Sequence, residues 1–314
     1  MLNKILSTPS VAGRTEKMTD LLKGELEGLF DTNSIDNLGS LYFTKKLGDG
    51  KKLMISCAVD TSGLIATFTD KSRINVSSIG GFCTPNLAFS RVNFEKTDGV
   101  LVPLGSFDWN TPITDYAVET GSEEAVKNIT LGDVGYFDTE ITVLNDGKAY
   151  GFCSGLRMCI YSVATMAKKL LDNGGAILKD ESIGEICVAF ISHENLGNRG
   201  SSCVSCAYNP DAIINVAPID MTEKNVGSLD FDDGFAVKML DRAFVADEET
   251  ALLSEKLLDF LGEKHKRRVS NNAYSAISRL GLCEKGAKAV EICLPVKYMS
   301  TKGECVRIPF ESAD

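Results

Sequence analysis

Hydrophobic positions change their period several times along the chain, and each change marks an element. Across residues 14–30, Met18, Leu21, Leu22, Leu26, Leu29 and Phe30 recur every three or four positions with Glu and Lys between them, which predicts an amphipathic helix. Residues 52–59 form a short apolar run, which predicts a buried strand. Between residues 61 and 148 the runs shorten. Segments 64–68, 73–76, 100–104, 135–138 and 140–144 are β-type and are parted by Gly, Asp, Asn and Pro, with one helical piece at 122–128. From residue 154 onward helix and strand alternate. Leu156, Cys159, Ile160, Val163, Ala167, Leu170 and Leu171 make a helical stripe that ends near Asn173-Gly174-Gly175. Strands are expected at 185–192, 212–217, 235–240 and 288–294, and helices at 248–263 and 273–280. The first of these helices opens on Asp247-Glu248-Glu249 and closes on Lys264-His265-Lys266, charges that suit its dipole. The pattern predicts an α/β sandwich interrupted by a β-rich insert, with the first 60 residues rejoining the later half to complete one sheet.

Composition narrows the classes. A chain of 314 residues has room for about two domains. With 44% hydrophobic and 24% charged residues it can bury a core, which excludes a disordered chain. No run approaches the roughly 20 apolar residues of a membrane span. The opening Met-Leu-Asn-Lys-Ile-Leu-Ser-Thr-Pro leaves no room for a signal-peptide apolar region, so a soluble cytoplasmic protein is expected. The net charge of −10 argues against nucleic acid and against anionic membrane as partners. The one basic run, Lys264-His-Lys-Arg-Arg268, reads as a helix end passing into a strand.

Most of the ten cysteines, including Cys57, Cys187 and Cys293, sit in apolar runs and read as small buried thiols in a reducing compartment. Cys203-Val-Ser-Cys206 has redox or zinc spacing but lacks a second pair or a nearby His, so a structural role is expected. The chain has only two histidines, His193 and His265, which limits metal chemistry. Asp230-Phe-Asp-Asp233 lacks calcium-loop spacing and reads as a turn before a strand. Gly80-Gly81 and Gly174-Gly175 read as turns outside any phosphate-binding pattern.

Several short motifs follow one another in a distinctive order. Residues 6–13 (Leu-Ser-Thr-Pro-Ser-Val-Ala-Gly), 36–41 (Asp-Asn-Leu-Gly-Ser-Leu), 54–60 with Gly63-Leu64-Ile65, 76–82 (Val-Ser-Ser-Ile-Gly-Gly-Phe), 115–125, 131–133 and 294–299 (Leu-Pro-Val-Lys-Tyr-Met) each match one weakly. Together they run through nearly the whole chain, which resembles the tetrahedral metallo-aminopeptidases, the family of glutamyl and deblocking aminopeptidases and cellulase M-like proteins. The resemblance implies a mixed-sheet, three-layer α/β aminopeptidase-like (phosphorylase/hydrolase-like) domain from residues 1–60 plus 149–314. It implies an inserted β-barrel dimerisation domain over 61–148. It also implies a homo-oligomer, at least a dimer and as large as a tetrahedral dodecamer, that removes N-terminal residues from peptides with two divalent ions, zinc or cobalt.

The same resemblance locates the site. The family's metal-ligand positions fall on Ala58, Gly151, Asn195, Ala217 and Ser300, and its catalytic Glu and a supporting Asp fall on Glu194 and Asp60. The gate stretch, Ser270-Asn-Asn-Ala273, has no Asp. Ala and Gly have no donor atoms to offset the dehydration of a divalent cation. The expectation is therefore a degenerate metal centre with no cofactor, and a non-catalytic relative that binds peptides, a small ligand or an active relative. Glu194 is then a relic general base and Asp60 a relic supporting carboxylate. The plainer alternatives are a strand-end Glu194 hydrogen-bonded to backbone and an Asp60 that is simply a satisfied polar group. An active metallo-aminopeptidase with Glu194 as general base is the alternative function. A different hydrolase built on Cys153, with His193 near it in the cavity, is the third.

Overall fold

The computed structural model describes residues 1–308 apart from 83, 139, 173–181, 225–226 and 272–274. Its strands in chain order are β1 (Thr32–Ile35), β2 (Leu41–Lys46), β3 (Lys51–Ala58), β4 (Gly63–Asp70), β5 (Arg73–Ile79), β6 (Arg91–Asn93), β7 (Asp98–Pro103), β8 (Tyr116–Glu119) and β9 (Val134–Phe137). After these come β10 (Thr142–Val143), β11 (Lys148–Tyr150), β12 (Ile183–Ile191), β13 (Ala212–Asp220), β14 (Phe235–Asp241), β15 (Phe244–Val245), β16 (His265–Val269), β17 (Lys288–Val296) and β18 (Cys305–Arg307). The helices are α1 (Leu2–Ser7), α2 (Glu16–Glu25), α3 (Glu123–Val126), α4 (Ser154–Asp172), α5 (Arg199–Tyr208), α6 (Glu248–Leu261) and α7 (Ile277–Leu280).

A nine-stranded mixed sheet runs β1-β2-β12-β3-β13-β17-β14-β15, with β16 also paired to β14. Its centre, β12-β3-β13-β17, is parallel. A parallel core needs both faces covered, which explains why these strands read as continuous apolar runs. On one face Leu53, Ile55 and Cys57 of β3 meet Cys159, Ile160 and Val163 of α4 and Leu257 and Leu258 of α6. On the other, Met54 and Ile213 meet Val204 and Tyr208 of α5 and Ile277 and Leu280 of α7. The long apolar stripe of α4 therefore organises one layer, and the strands' alternating side chains reach both.

The insert is a closed six-stranded barrel, β4-β5-β8-β7-β6-β9. Leu64, Ile74, Val92, Leu101, Tyr116 and Val118 fill its interior with essentially no exposure. Closure leaves no free strand edges, which is how a polar-linked meander of short strands becomes stable. Sheet and barrel make up an α/β fold with an inserted barrel.

The differences from the sequence reading are local. The helix expected over 14–30 stops at Glu25, because Leu26 leaves helical dihedrals and Gly28 turns at φ 78. The segment expected as a strand over 140–144 keeps only β10. The helix expected over 273–280 is seen as α7, and 272–274 lie outside the described residues, as does Gly174-Gly175. Asp230 caps a single turn at Phe231–Asp233 directly before β14. Nine cysteines are described and all nine are free thiols; Cys203 and Cys206 are exposed on α5 rather than buried.

Candidate functional site at the carboxyl end of the central strands

In open α/β sheets the carboxyl ends of parallel strands form the crevice where ligands bind. Here the segments after β3, β12 and β17 and the entry to α4 meet at that end. Asp60 follows β3, is fully buried, and accepts the backbone N–H groups of Glu194 and Asn195 at 3.0 and 2.9 Å. Its own carbonyl accepts Asn195 Nδ2 at 2.6 Å. The turn after β12 is thus tied to the end of β3. Burial raises the Asp60 pKa, although the N–H donors pull the other way.

Glu194 is 8% exposed. Its Oε1 accepts the N–H of Ser201 at 2.9 Å, in the first turn of α5, while Oε2 is buried without a hydrogen-bond partner. Burial first, and then the Asp60 charge, push its carboxyl up to about 8. Both effects favour the protonated carboxyl over the carboxylate. Asn195 is fully engaged, since its Oδ1 also accepts Ser62 Oγ at 3.2 Å. The barrel reaches this point: a Cβ at Gly80, where φ is 79, would lie 2.9 Å from Asn195 Cβ.

Ala58 ends β3 and lies in register with Ile191 of β12. Ala217 lies in β13 opposite Cys293. Gly151 and Ser300 are joined through Glu304, whose carbonyl accepts the Gly151 N–H at 2.9 Å and whose Oε2 accepts the Ser300 N–H at 3.1 Å. Glu304 Oε1 accepts the N–H of Gly155 at 2.7 Å, closing the first turn of α4. Burial pushes Glu304 up to about 7. Cys153 is half-buried in a left-handed conformation, φ 56. Burial and then the Glu304 charge push its thiol up, which disfavours the thiolate. The His193 ring pairs with Ser192 Oγ at 3.2 Å, and among the described residues no hydrogen bond joins it to Cys153. Cys153, His193, Asn198, Tyr298 and Ser300 all hold positive φ in these segments. Such strained positions concentrate at functional sites.

The sequence reading missed Glu304 and a buried polar row beneath the site. Ser56, Asn215, Glu291 and Lys238 are direct register partners on β3, β13, β17 and β14. Ser56 Oγ donates to Asn215 Oδ1 at 2.9 Å, Asn215 Nδ2 donates to Glu291 Oε2 at 2.7 Å, and Lys238 pairs with Glu291 Oε1. The signal was present as one polar residue inside each apolar run.

The fold agrees with the comparisons. Residues 39–309 match the family model described as M42 glutamyl aminopeptidase. The chain belongs to the M42 glutamyl aminopeptidase family. A lysyl aminopeptidase of Pyrococcus furiosus is 24% identical over 330 residues, covering 97% of this chain and 90% of its own. Two solved structures are similar in fold. A TET aminopeptidase from a marine sediment Thaumarchaeota archaeon has a TM-score of 0.87 at 16% identity, over 98% of this chain and 91% of its own. The Pyrococcus horikoshii TET1 peptidase, which assembles into a tetrahedron or a large octahedral shell, has a TM-score of 0.83 at 20% identity, over 98% and 93%. No described helix is long and apolar enough to cross a membrane.

Family membership corrects one expectation, that of no cofactor. M42 aminopeptidases are metal-dependent, so a divalent metal is the cofactor that membership implies for this chain. The five positions that the resemblance assigns as ligands do not by themselves fit it. Ala58, Gly151 and Ala217 have no donor atoms. A Cβ at Gly151 would lie 2.1 Å from Ile141 Cδ1. The Asn195 amide is already bound to Asp60 and Ser62. Among the described residues no three of His, Cys, Asp or Glu stand where they could hold a metal ion.

Proposed function

We propose that this chain is a peptide-binding or assembly member of the M42 family, with the family's fold kept and its hydrolytic centre altered. One observation carries the reading. At four of the five positions assigned as ligands by resemblance the side chain lacks a donor atom or is engaged inside the protein: Ala58, Gly151 and Ala217 have no donor atom, and the Asn195 amide is bound to Asp60 and Ser62. Asp60 and Glu194 serve there as buried anchors of the turn that carries Asn195. Residues 61–148 are the assembly unit. Phe89, Phe107 and Trp109 form an exposed ring cluster on it, with centroids 5.9 and 5.3 Å apart, and this supports a homo-oligomer of at least two copies. The shell described for the Pyrococcus horikoshii relative supports a larger one. Free buried thiols support a reducing compartment such as the cytoplasm.

A second reading is an active aminopeptidase with Glu194 as general base. It is favoured by Glu194 Oε2, buried and unpartnered at the carboxyl end of the strands, with the carboxyl pushed up to about 8. The experiment is release of Lys, Glu and Leu from aminoacyl-anilides by protein purified without chelator and then supplied with zinc or cobalt. Peptide binding without hydrolysis supports the first reading. Hydrolysis that a chelator abolishes and Glu194→Gln removes establishes the second.

A further inference from the structure

Arg267 and Arg268 are neighbours on β16 and meet different surroundings. Successive side chains of a strand point to opposite faces. Arg267 lies toward α6, where its Nε donates to one oxygen of Glu255 at 2.8 Å and its Nη2 to the other at 3.1 Å. Arg268 is only 4% exposed. Its Nη1 donates at 3.0 Å to the carbonyl of Gly227, in the connection between β13 and β14. Its Nε and Nη2 are buried, and among the described residues neither has a hydrogen-bond partner.

These two nitrogens form one edge of the guanidinium plane, with N–H bonds that run nearly parallel. Arg267 uses the same edge to grip both oxygens of a carboxylate. Around Arg268 the carboxylates are committed elsewhere. Its register partner on β14 is Lys238, a second buried cation, and Glu291 serves Lys238 and the Asn215 amide. Asp241 accepts Ser275 Oγ at 2.6 Å and the Ala243 N–H at 2.9 Å. Glu223 accepts Ser270 Oγ at 2.6 Å and the Asn271 N–H at 2.7 Å. A buried charge without a counter-charge and a buried donor without an acceptor are both costly.

We propose that the Nε–Nη2 edge of Arg268 holds a small monovalent anion, a halide such as chloride, beneath the connection between β13 and β14. Neither nitrogen meets solvent, which favours an ion about the size of a water molecule over a peptide carboxylate or a phosphate ester. A water would accept the two N–H groups but leave the charge uncompensated. The anion offsets the charge that Arg268 places beside Lys238. Through Arg268 and Gly227 it ties the β13–β14 connection to the edge strand β16.

The test is thermal unfolding of the full chain in sodium chloride, bromide and gluconate at equal ionic strength, together with anomalous diffraction from wild-type crystals soaked in bromide. Equal ionic strength removes the screening of surface charges. Chloride and bromide should raise the wild-type midpoint by about 2–4 °C over gluconate, because only the folded chain offers the site. In Arg268→Gln the three salts should give one midpoint. A bromide peak should lie within about 3.5 Å of both Nε and Nη2. No peak at that edge overturns the proposal, whatever the midpoints do, and means that water alone meets the two donors. A peak without a midpoint shift marks an adventitious ion only and overturns it too. So does an equal halide shift in a folded Arg268→Gln protein. The wild-type measurements decide the matter if that variant does not fold.

Discussion

The Asp60 carboxylate holds the backbone of Glu194, accepting its N–H at 3.0 Å and that of Asn195 at 2.9 Å. One buried side chain thus fixes the position of the turn after β12 relative to the end of β3. Asp60→Ala should leave two buried donors without acceptors, at about 1–3 kcal/mol for each. Urea unfolding should show the loss directly. A change within about 0.5 kcal/mol of the wild type would mean that the turn is held by other contacts.

Two buried carboxyls give the protein an unusual pH dependence. Glu194 rises from an ordinary value of 4.5 to about 8, and Glu304 from 4.5 to about 7. Between those values the folded chain binds protons that the unfolded chain has released. Stability therefore falls as pH rises, from about 4.5 to about 8 for Glu194 and to about 7 for Glu304, by about 1.4 kcal/mol per pH unit for each group. Most paired surface carboxylates act in the opposite direction. Glu194→Gln keeps an acceptor for the Ser201 N–H and removes the titration. Denaturant midpoints from about pH 5 to about pH 8 should then fall less steeply than in the wild type. Parallel curves for the two proteins would show that Glu194 is not the group responsible.

The row from Ser56 to Lys238 places a buried ion pair in the middle of the sheet. Lys238 and Glu291 are 2% and 0% exposed. Removing one partner strands the other charge in the core, so Lys238→Met should cost about 3–5 kcal/mol. Replacing both, as Lys238→Met with Glu291→Leu, should recover much of that loss, although Asn215 then loses its acceptor. A double-mutant cycle in urea measures the coupling. Additive losses would contradict a direct interaction.

The strongly periodic elements were legible from the chain alone. The stripe of α4, the Leu pattern of α6 and the apolar runs of β3, β13 and β17 each carry one unambiguous period. α5 was not legible, because Gly200, Ser201, Ser202 and Ser205 are poor helix formers and the Cys203–Cys206 spacing suggested other chemistry. Its helicity comes from packing Val204 and Tyr208 onto the sheet. The polar row was half-visible. Asn215, Glu291 and Lys238 each interrupt an apolar run, but only strand order and register make them neighbours. Glu304 was hidden for the same reason, since nothing local joins it to Gly155. The roles given by resemblance to Asp60, Glu194 and the five altered positions remain part of the proposed function.

Gly151 connects stability to that proposal. Its N–H is held by the Glu304 carbonyl at 2.9 Å, and the space beside it is filled by Ile141. Introducing a carboxylate with Gly151→Asp should therefore cost about 1–3 kcal/mol through overpacking. Ile141→Ala in the same chain opens that space and should return part of the loss. The pair separates two causes. If the double variant is more stable than Gly151→Asp alone, Ile141 is what closes the position to a side chain. If it is less stable, the two substitutions act independently and the carboxylate is accommodated by movement elsewhere. Thermal unfolding of the three proteins decides between these outcomes, and zinc or cobalt added to the double variant shows whether a carboxylate there raises metal affinity.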